Sequence, residues 1–419
     1  MIRLSIILAL LLAALSVAAC SGGYSFGASD TGDYRYNQRG ASTAPASPEG
    51  HSRYIVVLKA GTPDVARTAR ALAGAYGANP GHVYTHALRG FSVTLPGRAA
   101  AAMAGNPQVA YIEPDLRTGA VGKPDRPPGK PPKDPPDEPP SGDEIPWGVD
   151  RIDAELNAGA KGAGVSVAVL DTGIDTDHPD LAANYKGGYD FANNDSSPED
   201  DNGHGTHVSG IIAADDNAAG IVGVAPDAGI VAVKVLDSAG SGYLSWLIAG
   251  LDWVVQNQSA YGIKVANMSL TAYGTSDALH TAVQAAYSAG VTMSAAAGND
   301  RMDAYYFIPA SYDEVICVTA LEPNNRFARY SNCGSLVDLI APGSSVKSTW
   351  PGGGFAILSG TSMAAPHVAG AAALYLDDHT GTPAQVMQAL INAGELPRRG
   401  KWRGDPDGIG EPLVDAETL

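Results

Sequence analysis

Val165-Ser-Val-Ala-Val-Leu170-Asp171-Thr-Gly173 sets a carboxylate and a glycine directly behind a short β-branched apolar run. A run of that length and composition reads as a strand buried on both faces. The chain behind it alternates. Helical spacing runs over Gly205 to Ala214, Tyr243 to Gln256 and Ser276 to Ala289, and apolar strands over Ile230 to Leu236, Val265 to Leu270 and Val291 to Ala296. Such alternation predicts an α/β fold, a parallel sheet with helices on both faces. Ligands in these sheets lie beyond the carboxyl ends of the strands, which makes Asp171 a candidate functional residue.

Two further motifs fall at predicted helix starts. Asn202-Gly-His204-Gly-Thr-His207-Val-Ser-Gly210 sets a histidine among glycines, and Ser359-Gly-Thr-Ser362-Met-Ala-Ala-Pro-His367-Val-Ala-Gly370 opens an Ala-rich helix with a serine. Alone, Asp171 or Ser362 reads as readily as a helix cap, and a lone histidine as a structural one. Together they supply the parts of a nucleophilic site. A serine hydroxyl needs a base to take its proton, and the base needs a buried carboxylate to fix its tautomer. Asp, then His, then Ser is one of the chain orders in which this constellation occurs. His207 and His367 are expected to serve packing or hydrogen bonding.

Residues 142 to 395 resemble the subtilisin-like serine proteases, of the proteinase K and aqualysin type. The resemblance implies Ser362 as nucleophile, His204 as general base and then acid, and Asp171 as the orienting carboxylate. Ala295-Ala-Ala297-Gly298-Asn299 is similar to the segment whose asparagine donates to the oxyanion, which implies Asn299 for that role. It implies that a peptide substrate lies as an added strand against Gly240-Ser-Gly242-Tyr243 and Ser269-Leu270, with Ala297 and Gly298 lining the site. Where the family commonly has two glycines after that Ser-Leu, this chain has Thr271-Ala272; with Phe307 near the expected pocket floor, a narrowed first pocket is expected. The family's calcium site near the mature N-terminus corresponds to Asp143, Asp180 and Asn217, hard oxygen donors as calcium requires. No cofactor is expected for catalysis. The acidic cluster Asp195 to Asp201 lacks calcium-loop spacing and reads as solvated.

Ahead of the α/β region, strand, helix, two strands, helix and strand follow one another: Tyr54 to Leu58, Pro63 to Tyr76, Val83 to Leu88, Phe91 to Leu95, Ala99 to Met103 and Val109 to Glu113. That order predicts a small ferredoxin-like α+β domain. Arg53-Tyr-Ile-Val-Val-Leu58, Gly90-Phe-Ser-Val93 and Val109-Ala-Tyr-Ile-Glu-Pro114 resemble the inhibitory propeptide of the same family. The resemblance implies a self-inhibited precursor whose Tyr111 to Asp115 segment blocks the cleft, with autocleavage between Asp115 and Gly142. Arg117 to Ser141 holds nine prolines and reads as a semi-rigid polyproline spacer.

The first twenty residues carry one early cation, an apolar run from Leu4 to Leu15 and Ser16-Val-Ala-Ala-Cys20. This is signal-peptide patterning, too short for a membrane span, and the cysteine behind two alanines resembles a bacterial lipobox. An exported protein is expected, in the cell envelope through a lipid on Cys20 or secreted. Residues 21 to 50 read as a flexible tether. The expected organisation is therefore a signal over 1–20, the tether, the inhibitory domain over 51–116, the linker over 117–141 and the catalytic domain over 142–419.

Charge supports this division. Net charge is −17 overall, +4 over residues 1–141 and −21 over 142–419, so the front half complements the back. A strongly acidic catalytic region excludes a phosphate-neutralising nucleic-acid binder. Three cysteines exclude a disulfide framework. Export permits a bond between Cys317 and Cys333, sixteen apart around an apparent turn, but the spacing leaves the pairing open. Two other readings keep the fold: a catalytically silent surface protein that binds peptides, and a peptide ligase.

Overall fold

The computed structural model describes residues 50–124, 143–397 and 401–419. The signal and lipobox expected over 1–20, the tether expected over 21–50 apart from Gly50, and most of the proline-rich stretch lie outside the described residues. No described helix is long and apolar enough to cross a membrane.

The front unit comprises β1 (His51–Leu58), α1 (Val65–Ala75), β2 (Pro80–Tyr84), β3 (Gly90–Pro96), α2 (Gly97–Ala104) and β4 (Val109–Pro114). Its antiparallel sheet has the order β2-β3-β1-β4, the ferredoxin-like arrangement. Val56, Leu58, Phe91, Val93 and Val109 alternate onto one face, where Ala69 and Leu72 of α1 and Met103 of α2 cover them.

Arg117 to Pro124 is not spacer. It forms two short strands, β5 (Arg117–Ala120) and β6 (Lys123–Pro124), each paired to the larger unit. Nothing in Arg-Thr-Gly-Ala has strand periodicity. The pairing comes from edge strands more than a hundred residues away.

The larger unit begins with α3 (Trp147–Arg151), β7 (Ser166–Asp171), β8 (Tyr185–Asp190), α4 (His204–Ala213), β9 (Gly229–Lys234), β10 (Ser241–Tyr243) and α5 (Leu244–Tyr261). It continues with β11 (Ile263–Met268), β12 (Leu270–Tyr273), α6 (Asp277–Ser288), β13 (Thr292–Ala296), β14 (Phe307–Ile308), β15 (Val315–Glu322) and β16 (Arg326–Phe327). β17 (Leu339–Pro342), the hairpin β18 (Val346–Trp350) with β19 (Gly354–Ser359), α7 (Thr361–Asp378) and α8 (Pro383–Ala393) complete it.

The main sheet runs β16-β15-β13-β11-β7-β9-β8, with β17 beside β15, and is parallel apart from β16. Its inner strands are buried on both faces, hence their unbroken apolar runs. Val208 and Ile212 of α4 and Val368 and Leu374 of α7 pack on one face; Leu247 and Leu251 of α5 and Leu279 and Val283 of α6 pack on the other. The fold is the expected α/β arrangement, a parallel sheet with helices on both faces, preceded by a small α+β domain. Cys317 carries a free buried thiol, so it makes no disulfide with Cys333.

Candidate active site

Asp171 ends β7 at the centre of the sheet, where the apolar strand gives way to a loop. His204 starts α4, whose first turn approaches β7 so closely that a Cβ on Gly205 would lie 2.2 Å from the Gly173 carbonyl. His204 Nδ1 and Asp171 Oδ1 are 2.7 Å apart, and both side chains are buried. Burial works to lower the His204 pKa, but the Asp171 charge and hydrogen bond, with Asp200 further off, hold it above the ordinary histidine value. Ser362 lies in the first turn of α7, fully buried. Its hydroxyl donates to the Ser269 carbonyl at 2.9 Å, and His204 Nε2, turned to the same cleft, has no partner.

The cleft already holds a peptide. β5 lies between β10 and β12, antiparallel to both, pairing Thr118 with Gly242 and Ala120 with Leu270. Ala120 N–H donates to the Gly240 carbonyl at 2.9 Å. Beyond β5, Val121 N–H donates to Ser362 Oγ at 3.1 Å, and Asn299 Nδ2 donates to the Val121 carbonyl. Thr361 fixes that asparagine: its N–H and hydroxyl both donate to Asn299 Oδ1, at 3.0 and 2.9 Å, which turns the amide nitrogen toward the cleft. The backbone passes close over Gly360, where a Cβ would lie 2.2 Å from the Val121 carbonyl oxygen. It then passes His204: a Cβ on Gly122 would sit 3.1 Å from Nε2. β6 continues outward against β19.

Each expected residue has a clear place. His204, Ser362 and Asn299 converge on Val121 and Gly122, with Asp171 behind His204. Gly240, Gly242 and Leu270 flank the inserted strand, and Ser269 bonds Ser362 in both directions, its own hydroxyl donating to the Ser362 carbonyl at 2.8 Å. Ala297 and Gly298 bond instead to Asn332 and Thr361, holding the turn before Asn299. Phe307 lies against that turn, its ring 3.4 Å from where a Gly298 Cβ would stand. His207 donates from Nε2 to the Val346 and Ala356 carbonyls, and burial pulls its pKa down to about 3; His367 bonds Met363 and falls to about 4. Both are structural, as expected.

The blocking segment differs from the expectation. Tyr111 to Asp115 belongs to the front sheet and its end, and the cleft is filled six residues further on. Glu113 and Asp115 instead cap helices of the larger unit. Glu113 accepts from Ser276 Oγ and the Asp277 N–H at the start of α6, and Asp115 accepts from Ser245 N–H at 2.9 Å and Ser245 Oγ at 2.7 Å at the start of α5. Carboxylates suit the positive end of a helix dipole. Asp252 of α5 returns the contact, accepting from Thr85, His86 and Ala87 N–H groups.

Sequence reasoning missed two groups behind the site. Asp200, expected to be solvated, accepts from Thr172 Oγ1, from the Asn202 and Gly203 N–H groups, and from both N–H and hydroxyl of Thr206. It thereby joins the loop after Asp171 to the start of the His204 helix. Lys234, buried at the end of β9, donates to the Thr172 carbonyl and pairs with Asp201 at 2.6 Å. A buried lysine closing an apolar strand was the available signal, since it requires an anion nearby.

Asp143, Asp180 and Asn217 meet at the 215–220 loop. Asp143 Oδ2 accepts from Ala218 N–H while its Oδ1 is buried without a partner. Asp180 Oδ2 accepts from Ile221 N–H, and a Cβ on Gly220 would lie 2.2 Å from it. The orphaned oxygen and the glycine cradle fit a hard cation.

The comparisons agree with this architecture. Residues 162–407 match the model of the subtilase family, and residues 53–118 that of peptidase inhibitor I9. The chain is 41% identical over 306 residues to Subtilisin E of Bacillus subtilis (strain 168), covering 71% of this chain and 74% of that one. It is 49% identical over 277 residues to Subtilisin Savinase of Lederbergia lenta, covering 65% and 98%. The crystal structure of a cold adapted subtilisin-like serine proteinase superposes with a TM-score of 0.58 at 42% identity, over 64% of this chain and 97% of that one. The chain belongs to the subtilase family. It is a subtilisin-like serine endopeptidase that carries its own I9 inhibitor domain, and its substrates are polypeptides.

Proposed function

We propose that this chain is the precursor of an exported endopeptidase and that it matures by cutting its own Val121–Gly122 bond. The observation that carries the reading is the seating of Val121: amide on Ser362 Oγ, carbonyl on Asn299 Nδ2. In the resting precursor the serine proton is held by Ser269. For attack the hydroxyl turns to His204 Nε2, which takes the proton as Oγ bonds to the Val121 carbonyl carbon. Negative charge develops on the Val121 oxygen, where Asn299 and the N–H of Ser362, unpaired within its helix by position, stabilise it. Asp171 keeps Nδ1 protonated and stabilises the imidazolium. His204 then returns the proton to the Gly122 nitrogen, the C–N bond breaks, and water later releases the acyl group.

After the cut, β5 would stay between β10 and β12 as a product inhibitor, held also by Glu113, Asp115 and Asp252. Polypeptide substrates would take the same place. Thr271, Ala272 and Phe307 support a small side chain before the cut, as Val121 is. A calcium ion at Asp143, Asp180 and Asn217 would tie the start of the catalytic unit to the 215–220 loop without entering the reaction. Export rests on residues 1–20. A lipid on Cys20 would remain with the inhibitor domain, so a catalytic unit that stays in membranes without that domain would contradict the lipid reading.

The test is intact mass and N-terminal sequencing of the precursor beside Ser362→Ala. Wild type is expected to yield a chain beginning at Gly122, and the variant to stay whole. Two uncut chains, two chains cut alike, or a different new N-terminus would overturn the proposal.

A further inference from the structure

Outside the cleft, near the end of the chain, Asp405-Pro-Asp407-Gly-Ile-Gly-Glu411 folds back on itself. A carboxylate oxygen from each of Asp405, Asp407 and Glu411 lies within 4.8 Å of the other two. Clustered acids alone say little, but Glu411 is different. It is only 3% exposed, and both of its carboxylate oxygens are buried without a hydrogen-bond partner. Among the described residues, no cation pairs with any of the three. Burying a carboxylate with neither donor nor counter-charge is costly, and removing the penalty requires a proton or a cation.

We infer that Asp405, Asp407 and Glu411 form a second divalent-cation site, suited to calcium. Calcium takes six to eight oxygen ligands at about 2.3–2.6 Å, so oxygens across the ion stand close to 5 Å apart. Three carboxylate oxygens all within 4.8 Å of one another can share one ion of that size, and an all-oxygen, loop-borne donor set suits calcium's flexible shell better than magnesium's strict octahedron. Loop carbonyls and water would complete the shell. Backbone N–H groups hold the two aspartates in place: Asp405 accepts from Asp407 and Gly410, and Asp407 from Ile409 and from Gly334, the last at 2.7 Å. Gly334 follows the turn containing Asn332, whose Oδ1 accepts from the Asp300 and Met302 N–H groups. A cation here would therefore pin the chain end to the loop that carries Asn299.

The rival occupant is a proton on Glu411; burial and the Asp405 charge push that carboxyl up to about 8. Glu411→Gln imitates the protonated form and separates the two. Full-length chain carrying Ser362→Ala is stripped with EDTA and dialysed against calcium chloride, and bound metal is counted beside the same chain with Glu411→Gln or Asp405→Asn. The expected result is one calcium fewer per chain in both variants, with a smaller calcium-dependent rise in Tm. Equal stoichiometry in all three chains overturns the site. Should Glu411→Gln fail to fold, Asp405→Asn decides. Crystals of the parent chain grown in calcium give an independent reading: an ion bound by the three carboxylates supports the inference, and water or empty density there overturns it.

Discussion

The amide nitrogen of Val121 stands 3.1 Å from the hydroxyl oxygen of Ser362. That contact marks where the chain leaving the inhibitor domain meets the proposed nucleophile, and it specifies the next residue closely. Gly122 passes His204 with no side chain to spare: a Cβ would be 3.1 Å from Nε2 and 3.2 Å from Met363 Sδ. Gly122→Val should therefore displace the base and slow self-cleavage by at least about tenfold, roughly 1.4 kcal/mol of barrier. Gel densitometry of precursor decay checks it; an unchanged rate would show that the bond lies elsewhere.

Asn299→Ala removes the side-chain donor to the developing oxyanion while leaving the paired strands intact. Turnover on a peptide substrate should fall about 10²–10³-fold with little change in KM. A loss confined to KM would assign Asn299 to binding instead.

With His204 as the proposed base, self-cleavage needs it neutral, so the rate should rise with pH. Because Asp171 and Asp200 overcome burial and hold the imidazole pKa up, the acid limb should lie above pH 6.5. The same sign governs stability: the charged imidazole favours the folded precursor below pH 6.5, and this contribution is lost as pH rises through the higher folded value. Asp171→Asn removes the charge and the tautomer preference together, so the limb should move down and the rate drop about 10⁴-fold. Precursor decay followed from pH 5 to 9 tests both; a limb unmoved in the variant would contradict the assignment.

Inhibition should depend on Asp115, which is buried between Arg53 and Ser245. Truncating one member of a buried charged network at an interface typically costs about 2–5 kcal/mol. Asp115→Ala in an isolated inhibitor domain added to mature enzyme should therefore weaken inhibition on the order of 10²-fold. An inhibition constant within threefold of wild type would mean that the β5 strand alone carries the binding.

The residues of the site were legible because their signals are local. An apolar run closed by Asp171, glycines around His204 and the Ala-rich helix behind Ser362 each declare an element and its terminus within about ten residues. The resemblance then supplied Asn299. The front domain was legible in the same way, through its strand and helix periodicities. Strands such as Tyr185–Asp190 were not: Tyr-Lys-Gly-Gly-Tyr-Asp owes its place to β9 beside it rather than to its own pattern.

Sequence by itself determined the fold class, the candidate reactive groups and a small α+β front domain, since these follow from side-chain chemistry and short-range periodicity; the front domain's inhibitor role came from the family resemblance. Tertiary structure decided which bond lies over Ser362, that Asp200 and Lys234 brace the loops beside Asp171 and His204, that Cys317 remains a thiol, and that Glu411 is buried beside two aspartates. Each of these depends on partners far along the chain. Arg117 pairs with Tyr243 and Thr172 bonds Asp200 only after the sheet has assembled, because hydrogen bonds and burial are set by proximity in space, which no local pattern encodes.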